Sequence, residues 1–409
     1  MRRSALDLAI IVVVALAANF AYLIASNGDF YYPDSFTYLA PARSVLHGQG
    51  FLNQTGEIDT LRTPGYPLLL ALFGATTLPV IVLQHVLNAF LAVSLYLIVR
   101  QRNGSRLAAF VAAMLFALDT PTIHYANKVL TETTFTVLLF ATFVLALGRP
   151  RPVLLGILNG IMVLVRPIAI VYFVVLALFF AVRRLSFRQI AIFVIASLLL
   201  PVGWGARNAA HTGVFTVSSI AGFNMLTYRA AGALAMEDNG DFRSDLRDEA
   251  NGLIEDADDA IQRRLSIPDA QELPDAVRAR DYSRYAWHVI ARHPLGFIGL
   301  TVRGLLVNLF DSDWDSMQIV SLIYAPIVEL TVGALPAIEF ALAIIGIVLL
   351  WRTDRQMALL IALTVAYYLV ISAGGEAESR FRVPLVPQIA IAAAAGVEAV
   401  RRGLTTAVR

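Results

Sequence analysis

The chain is built around apolar runs that no water-facing surface accommodates. The first, LDLAIIVVVALAANFAYLIA (about 6–25), carries a single acid. Several others approach or exceed the roughly 18–20 residues that a helical crossing needs. Inside hydrocarbon each backbone N–H and C=O must be paired within the protein, which makes helix the form these runs can take. Hydrophobic residues are 58% of the 409, charged residues 15%, and mean hydropathy is +0.68. A soluble domain carries roughly 25% charged residues. The sequence therefore reads as an all-α polytopic membrane protein. Its net charge of +2 comes from arginines scattered in small groups, so it carries no nucleic-acid footprint. With no Cys there is no disulfide framework, thiolate metal site or cysteine nucleophile.

Those arginine groups set the threading, because basic residues stay on the cytoplasmic side. Arg2/Arg3, Arg100/Arg102/Arg106, Arg149/Arg151, Arg183/Arg184/Arg188, Arg352/Arg355 and Arg401/Arg402 each flank apolar runs. Placing all of them inside predicts ten crossings, at about 6–25, 77–99, 107–125, 132–148, 153–166, 168–182, 189–205, 331–351, 356–373 and 385–400, with both termini cytoplasmic. The first run is too long for a signal-peptide core of about 7–15 residues and reads as a retained helix. PLGFIGLTVRGLLVNLF, inside 294–330, reads as an interfacial helix; two further crossings there would give twelve. Three parts follow: a membrane module, 1–205, with an outer loop at 27–75; an outer-face segment with interfacial helices, 206–330; and C-terminal crossings, 331–409. The polar stretch 206–293 holds few large apolar residues and is expected to lie over the membrane part rather than fold alone.

The outer loop contains YYPDSFTYLAPARSVLHGQGF. After Pro33, residues 34–47 place Phe36, Leu39, Arg43 and Leu46 at helical spacing, which predicts a short amphipathic interfacial helix opened by Asp34. Asp34 reads equally as a helix N-cap or as a reactive acid. IDTLRTPGYPLLLALF follows. There a Pro/Gly turn holds Arg62 at headgroup depth, where it can clamp a phosphate bidentately or extend toward lipid headgroups. Glu132, in YANKVLTETTFTVLLF, opens a crossing: a donor-orienting acid, or a charge favoured by the helix dipole. His124, Asp34 and Glu132 are too scattered to compel a metal site, and no obligatory metal is expected. Asp311, Asp313 and Asp315 in DSDWD read as a solvated loop or an acceptor contact. The NQT sequon at Asn53 is uninformative.

Taken together, Asp34, Tyr38 four residues on, and RTPGYPLLLALF resemble the first outer loop of the GT-C membrane glycosyltransferases. The nearest branch is the one holding the protein O-mannosyltransferases and lipid A aminoarabinose transferases (family 39-like). YANKVLTETTFTVLLF, GIMVLVRPIAIVYF, PVGWGARNAAHTGVFTVSSIAGFNML and ESRFRVPLVPQIA resemble later stretches of that branch, in order. The resemblance implies a GT-C helical bundle with about ten (ten to twelve) crossings and outer juxtamembrane helices in a bacterial inner membrane. It implies inverting transfer of a sugar from a polyprenyl-phosphate donor to a glycolipid, polysaccharide or protein acceptor on the periplasmic or extracellular face. Asp34 would be the general base, helped by a pKa raised through partial burial. Arg62 would hold the carrier phosphate, with Arg207 and Arg382 next, then Arg380 and Arg166. Tyr38, Tyr66, Glu132, His124 and Lys128 would line the substrate site. The chain departs from the aminoarabinose transferases in having Ser35 after Asp34 and Arg62 where they place Lys. Two other classes stand beside this one: a transporter or flippase for an anionic lipid, and a non-catalytic assembly subunit. Against transport, the predicted crossings carry almost no charge at their centres.

Overall fold

The computed structural model describes residues 2–103, 105–238, 240–311 and 335–407, and helix dominates them. In chain order, α1 (Arg2–Ala25) leads to an outer loop holding α2 (Ser35–Leu46) and α3 (Gly65–Leu72). Next come α4 (Thr77–Asn103), α5 (Arg106–Ala117), α6 (Thr120–Ala126), α7 (Glu132–Leu147), α8 (Pro152–Val165), α9 (Tyr172–Val182) and α10 (Phe187–Thr212). The outer segment contains α11 (Ile220–Asn224), a π-helical turn at Met225–Ala230, α12 (Ala231–Ala235), α13 (Phe242–Leu265), α14 (Asp275–Arg292) and α15 (Pro294–Phe310). Then follow α16 (Leu335–Thr353), α17 (Arg355–Ile371) and α18 (Val386–Ala407).

Among the described residues, five helices are long and apolar enough to cross a membrane, or up to seven if each of two bent pairs is one span. The bends are 49° between α5 and α6 and 103° between α14 and α15. The ten crossings read from sequence exceed this measure, because Glu132–Leu147, Pro152–Val165, Pro167–Val182 and Arg355–Ile371 are apolar but under 18 residues. The sharp turn at α15 lies within the segment expected to be interfacial. Residues 312–334, with Asp313 and Asp315, fall outside the described residues.

The arginine clusters meet at one end of the bundle. Arg102 pairs with Asp354, Arg106 with Asp7, and Arg401 and Arg402 with Glu398, while Arg183 donates to the Ala146 and Gly148 carbonyls. Such solvent-screened pairs add little to stability; they show which helix ends lie together. Between the ends, α1, α4, α5 and α18 pack through small residues such as Ala15, Ala92, Ala109 and Ala393. α8 lies against α10, so close that a Cβ at Gly156 would sit 2.5 Å from that of Ala196.

The outer segment holds more apolar packing than its composition suggests. Leu226, Leu253, Ile261, Tyr282 and Ile290 form a buried core of its own beside the bundle. The apolar residues on α13 are few but share one face, and α14 and the π-helical turn cover that face.

Candidate active site

The local sequence accounts for how the site is assembled. Asp59 Oδ1 accepts the backbone N–H groups of Leu61 (2.7 Å) and Arg62 (3.1 Å), turning the chain under Arg62. Pro64 then starts α3, and Gly65 lets it approach the end of α8: a Cβ there would lie 2.7 Å from the Leu164 carbonyl oxygen. The arginine guanidinium is thereby aimed at the first turn of α2.

Asp34 stands at that turn without capping it, since its side chain bonds no helix amide. Both carboxylate oxygens go to arginines from distant segments. Arg62 Nη2 donates to Oδ1 at 2.8 Å, and Arg380 Nη2 donates to Oδ2 at 3.0 Å. Arg62 also donates to Thr37 Oγ1 (2.8 Å) and the Tyr38 hydroxyl (3.1 Å), with its guanidinium 4.4 Å from the Tyr38 ring centre. Tyr66 lies behind, edge-on to Tyr38 and bonded through its hydroxyl to Gln84. Beyond Asp34, Arg380 Nε donates to Glu132 Oε1, which also accepts from Arg166 Nη1 at 3.0 Å. Arg62, Asp34, Arg380, Glu132 and Arg166 thus alternate in sign along one chain, with three guanidiniums against two carboxylates. Glu132 is fully buried, and its Oε2 has no partner among the described residues.

These contacts overturn the pKa expected for Asp34. Burial pushes the carboxyl up, but the Arg62 and Arg380 charges outweigh it and hold it below the usual carboxylate range. Asp59 behaves oppositely: burial raises it to about 6 against its two backbone hydrogen bonds.

Several residues expected at the site sit elsewhere. Arg207 is spent on the Asp59 and Phe51 carbonyls and the Asn208 side chain, with Trp204 stacked on it. Arg382 donates to the Leu309 and Asp311 carbonyls at the end of α15. His124 bonds the Tyr22 hydroxyl (2.6 Å), and Lys128 pairs with Asp29 (2.7 Å), so both fasten α6 and the following turn to the end of α1. Among the described residues, no three metal-ligating side chains come together. Four residues at the site carried no signal read from sequence. The Tyr32 hydroxyl donates to Glu378 Oε2 (3.1 Å), and Arg229 pairs with Glu376 (2.9 Å). Proximity to Arg380 in ESRFR was the one available clue to Glu378.

An apolar cavity of about 640 Å³ runs beside this cluster, lined by Leu46, Leu68, Leu72, Leu138 and Ile161. Thr134, two residues after Glu132, and Val165, next to Arg166, also line it. The lining of this groove is almost wholly apolar and suits an aliphatic chain.

No family model and no curated protein matches the sequence. Among solved structures, the chain is similar to an archaeal oligosaccharyltransferase, AglB from Archaeoglobus fulgidus, in complex with an inhibitory peptide and a dolichol-phosphate. That match has a TM-score of 0.51 and 13% identity, and covers 98% of this chain and 51% of AglB. The chain thus spans about half the length of that protein. ArnT from Cupriavidus metallidurans, bound to undecaprenyl phosphate, matches with a TM-score of 0.40 and 15% identity over 94% of this chain and 77% of that one. The AglB likeness is one of fold alone.

Proposed function

We propose that this GT-C-type chain transfers a sugar from a polyprenyl-phosphate donor to an acceptor hydroxyl at the outer face of a membrane, with inversion. The observation that carries the reading is Asp34. Its side chain is 34% exposed and ion-paired to Arg62 and Arg380, and α2, which it precedes, ends at an apolar groove. The dolichol-phosphate held by AglB supports a carrier of the same class. Isoprenoid would occupy the groove, and the phosphate would take up the guanidiniums of Arg62 and Arg380, with Arg166 behind.

In the transfer step the acceptor oxygen attacks the anomeric carbon from the face opposite the phosphate. The carbon–oxygen bond to phosphate breaks, and its electron pair leaves on the phosphate. Asp34 takes the acceptor's proton. A phosphate monoester, with a second pKa near 6, leaves without a protein acid, and the arginines stabilise its growing charge. Before donor binding both Asp34 oxygens are occupied. A phosphate that draws off one guanidinium frees an oxygen and makes the carboxylate more basic, so the base is set by the donor's arrival.

We place this chemistry on the side away from the arginine clusters, periplasmic or extracellular in a bacterial inner membrane, with ten crossings and cytoplasmic termini. The module 1–205 supplies Asp34, Arg62, Glu132 and Arg166, and the C-terminal part, 331–409, supplies Arg380. The acceptor is a glycolipid, polysaccharide or protein. Among the described residues, the helices long and apolar enough to cross a membrane carry at most two charged residues in their apolar windows, which favours transfer over transport. Asp34→Asn tests the assignment. Cells carrying it should lose transfer by about 100-fold or more and accumulate the sugar-bearing polyprenyl phosphate, read by lipid mass spectrometry. Undiminished transfer would remove Asp34 as base.

A further inference from the structure

One turn of the outer segment lies against the loop that leads to Arg380. Met225–Ala230 is π-helical, a geometry found mostly as single turns at functional positions. It is firmly anchored. Arg229 donates to the Ala373 carbonyl (3.0 Å), to the Ile371 carbonyl (2.7 Å) and twice to Glu376 Oε1 (3.2 and 2.9 Å). Gly375 lies so near that a Cβ there would come within 2.7 Å of the Tyr228 carbonyl oxygen. Tyr228 is thereby fixed to the loop that goes on to carry Glu378 and Arg380.

Against this anchoring, the Tyr228 side chain is free. It is 39% exposed, and its hydroxyl makes no hydrogen bond among the described residues. Burial, then the charges of Asp34, Glu376 and Glu378, raise its pKa, so the phenol keeps its proton and remains a donor. A neutral polyhydroxylated ring, whose oxygens accept hydrogen bonds, suits an exposed phenol that keeps its proton.

We infer that Tyr228 contacts the sugar being transferred, donating its hydroxyl to a ring oxygen while the carrier phosphate stays with the arginines. This rests on the glycosyl-transfer reading above. The outer segment then does more than cover the bundle: it supplies the sugar's binding partner and a handle on which sugar is accepted.

The test is the lipid that copurifies from the protein's own membranes, quantified by mass spectrometry as sugar-bearing and bare polyprenyl phosphate. Tyr228→Phe keeps the ring and removes only the hydroxyl. It should lower the ratio of sugar-bearing to bare lipid about three- to tenfold, the size of one neutral hydrogen bond. Total polyprenyl phosphate should stay within about twofold of wild type. Tyr228→Ala should lower the ratio at least as far, with monodispersity on gel filtration reporting its folding. An unchanged ratio in a folded Tyr228→Phe protein overturns the inference and leaves the donor class intact. No polyprenyl phosphate with the wild-type protein would instead retire the donor class, and this contact with it.

Discussion

Asp34 is held by the two arginines proposed to take the carrier phosphate, and that competition has a testable sign. Asp34→Asn removes the charge that occupies Arg62 and Arg380, so it should bind bare polyprenyl phosphate more tightly, by about tenfold for 1–1.5 kcal/mol of relieved competition. Titration of the lipid into purified protein measures this; weaker binding by the variant contradicts the arrangement. A second residue sets a pH dependence. Burial raises Asp59 to about 6 in the folded protein, against about 3.9 in an unfolded chain. The protonated acid is favoured on folding, so that contribution is fully present below the unfolded value and lost as pH rises through 6. Relative to Asp59→Asn, the wild type should lose on the order of 2–3 kcal/mol of stability between about pH 4 and 6. Melting curves of the pair across that range check it, and parallel curves contradict it. Asp34 and Arg62 were legible because each sits in a local context, Pro-Asp at a helix start and Arg before a Pro/Gly turn. The choice between Arg380 and Arg382 was not. They lie two residues apart in successive 3₁₀ turns, so one guanidinium faces Asp34 and the other the end of α15.

At the scale of elements, the site depends on α2 and α3 being set against the ends of α7 and α8. The contact of Gly65 with Leu164 fixes α3, and through it the turn that carries Arg62. Gly65→Ala should destabilise the protein by about 1–3 kcal/mol through overpacking against backbone, and should weaken polyprenyl phosphate binding. A neutral effect on both would mean that α3 is free to slide. The interfacial helix expected at 34–47 is found at Ser35–Leu46, because an apolar stripe between a Pro and a Gly encodes its own limits. Tyr228, Arg229 and Glu376 were invisible for the opposite reason. They meet through a π-helical turn and a loop more than 140 residues apart, and neither has a periodicity that announces a partner. The small core of the outer segment escaped notice because few apolar residues, all on one face of α13, are enough when another helix covers them.

Over the whole molecule, the hydropathy and arginine pattern made an all-helical membrane protein legible, along with which helix ends gather at the arginine-rich end. The number of crossings was less legible, because several apolar helices are short enough to serve either as spans or as packed core. The folded chain keeps its opposing charges at its two ends: closed ion pairs at one, and at the other an acid and arginines beside a groove. The account stands on that second end receiving a phosphate. The most direct measurement is a structure of the protein with bound polyprenyl phosphate. The phosphate oxygens should lie within about 3 Å of the Arg62 and Arg380 nitrogens, with at least one Asp34 oxygen released and the isoprenoid along α3, α7 and α8. A phosphate bound elsewhere, with Asp34 still paired to both arginines, would contradict it.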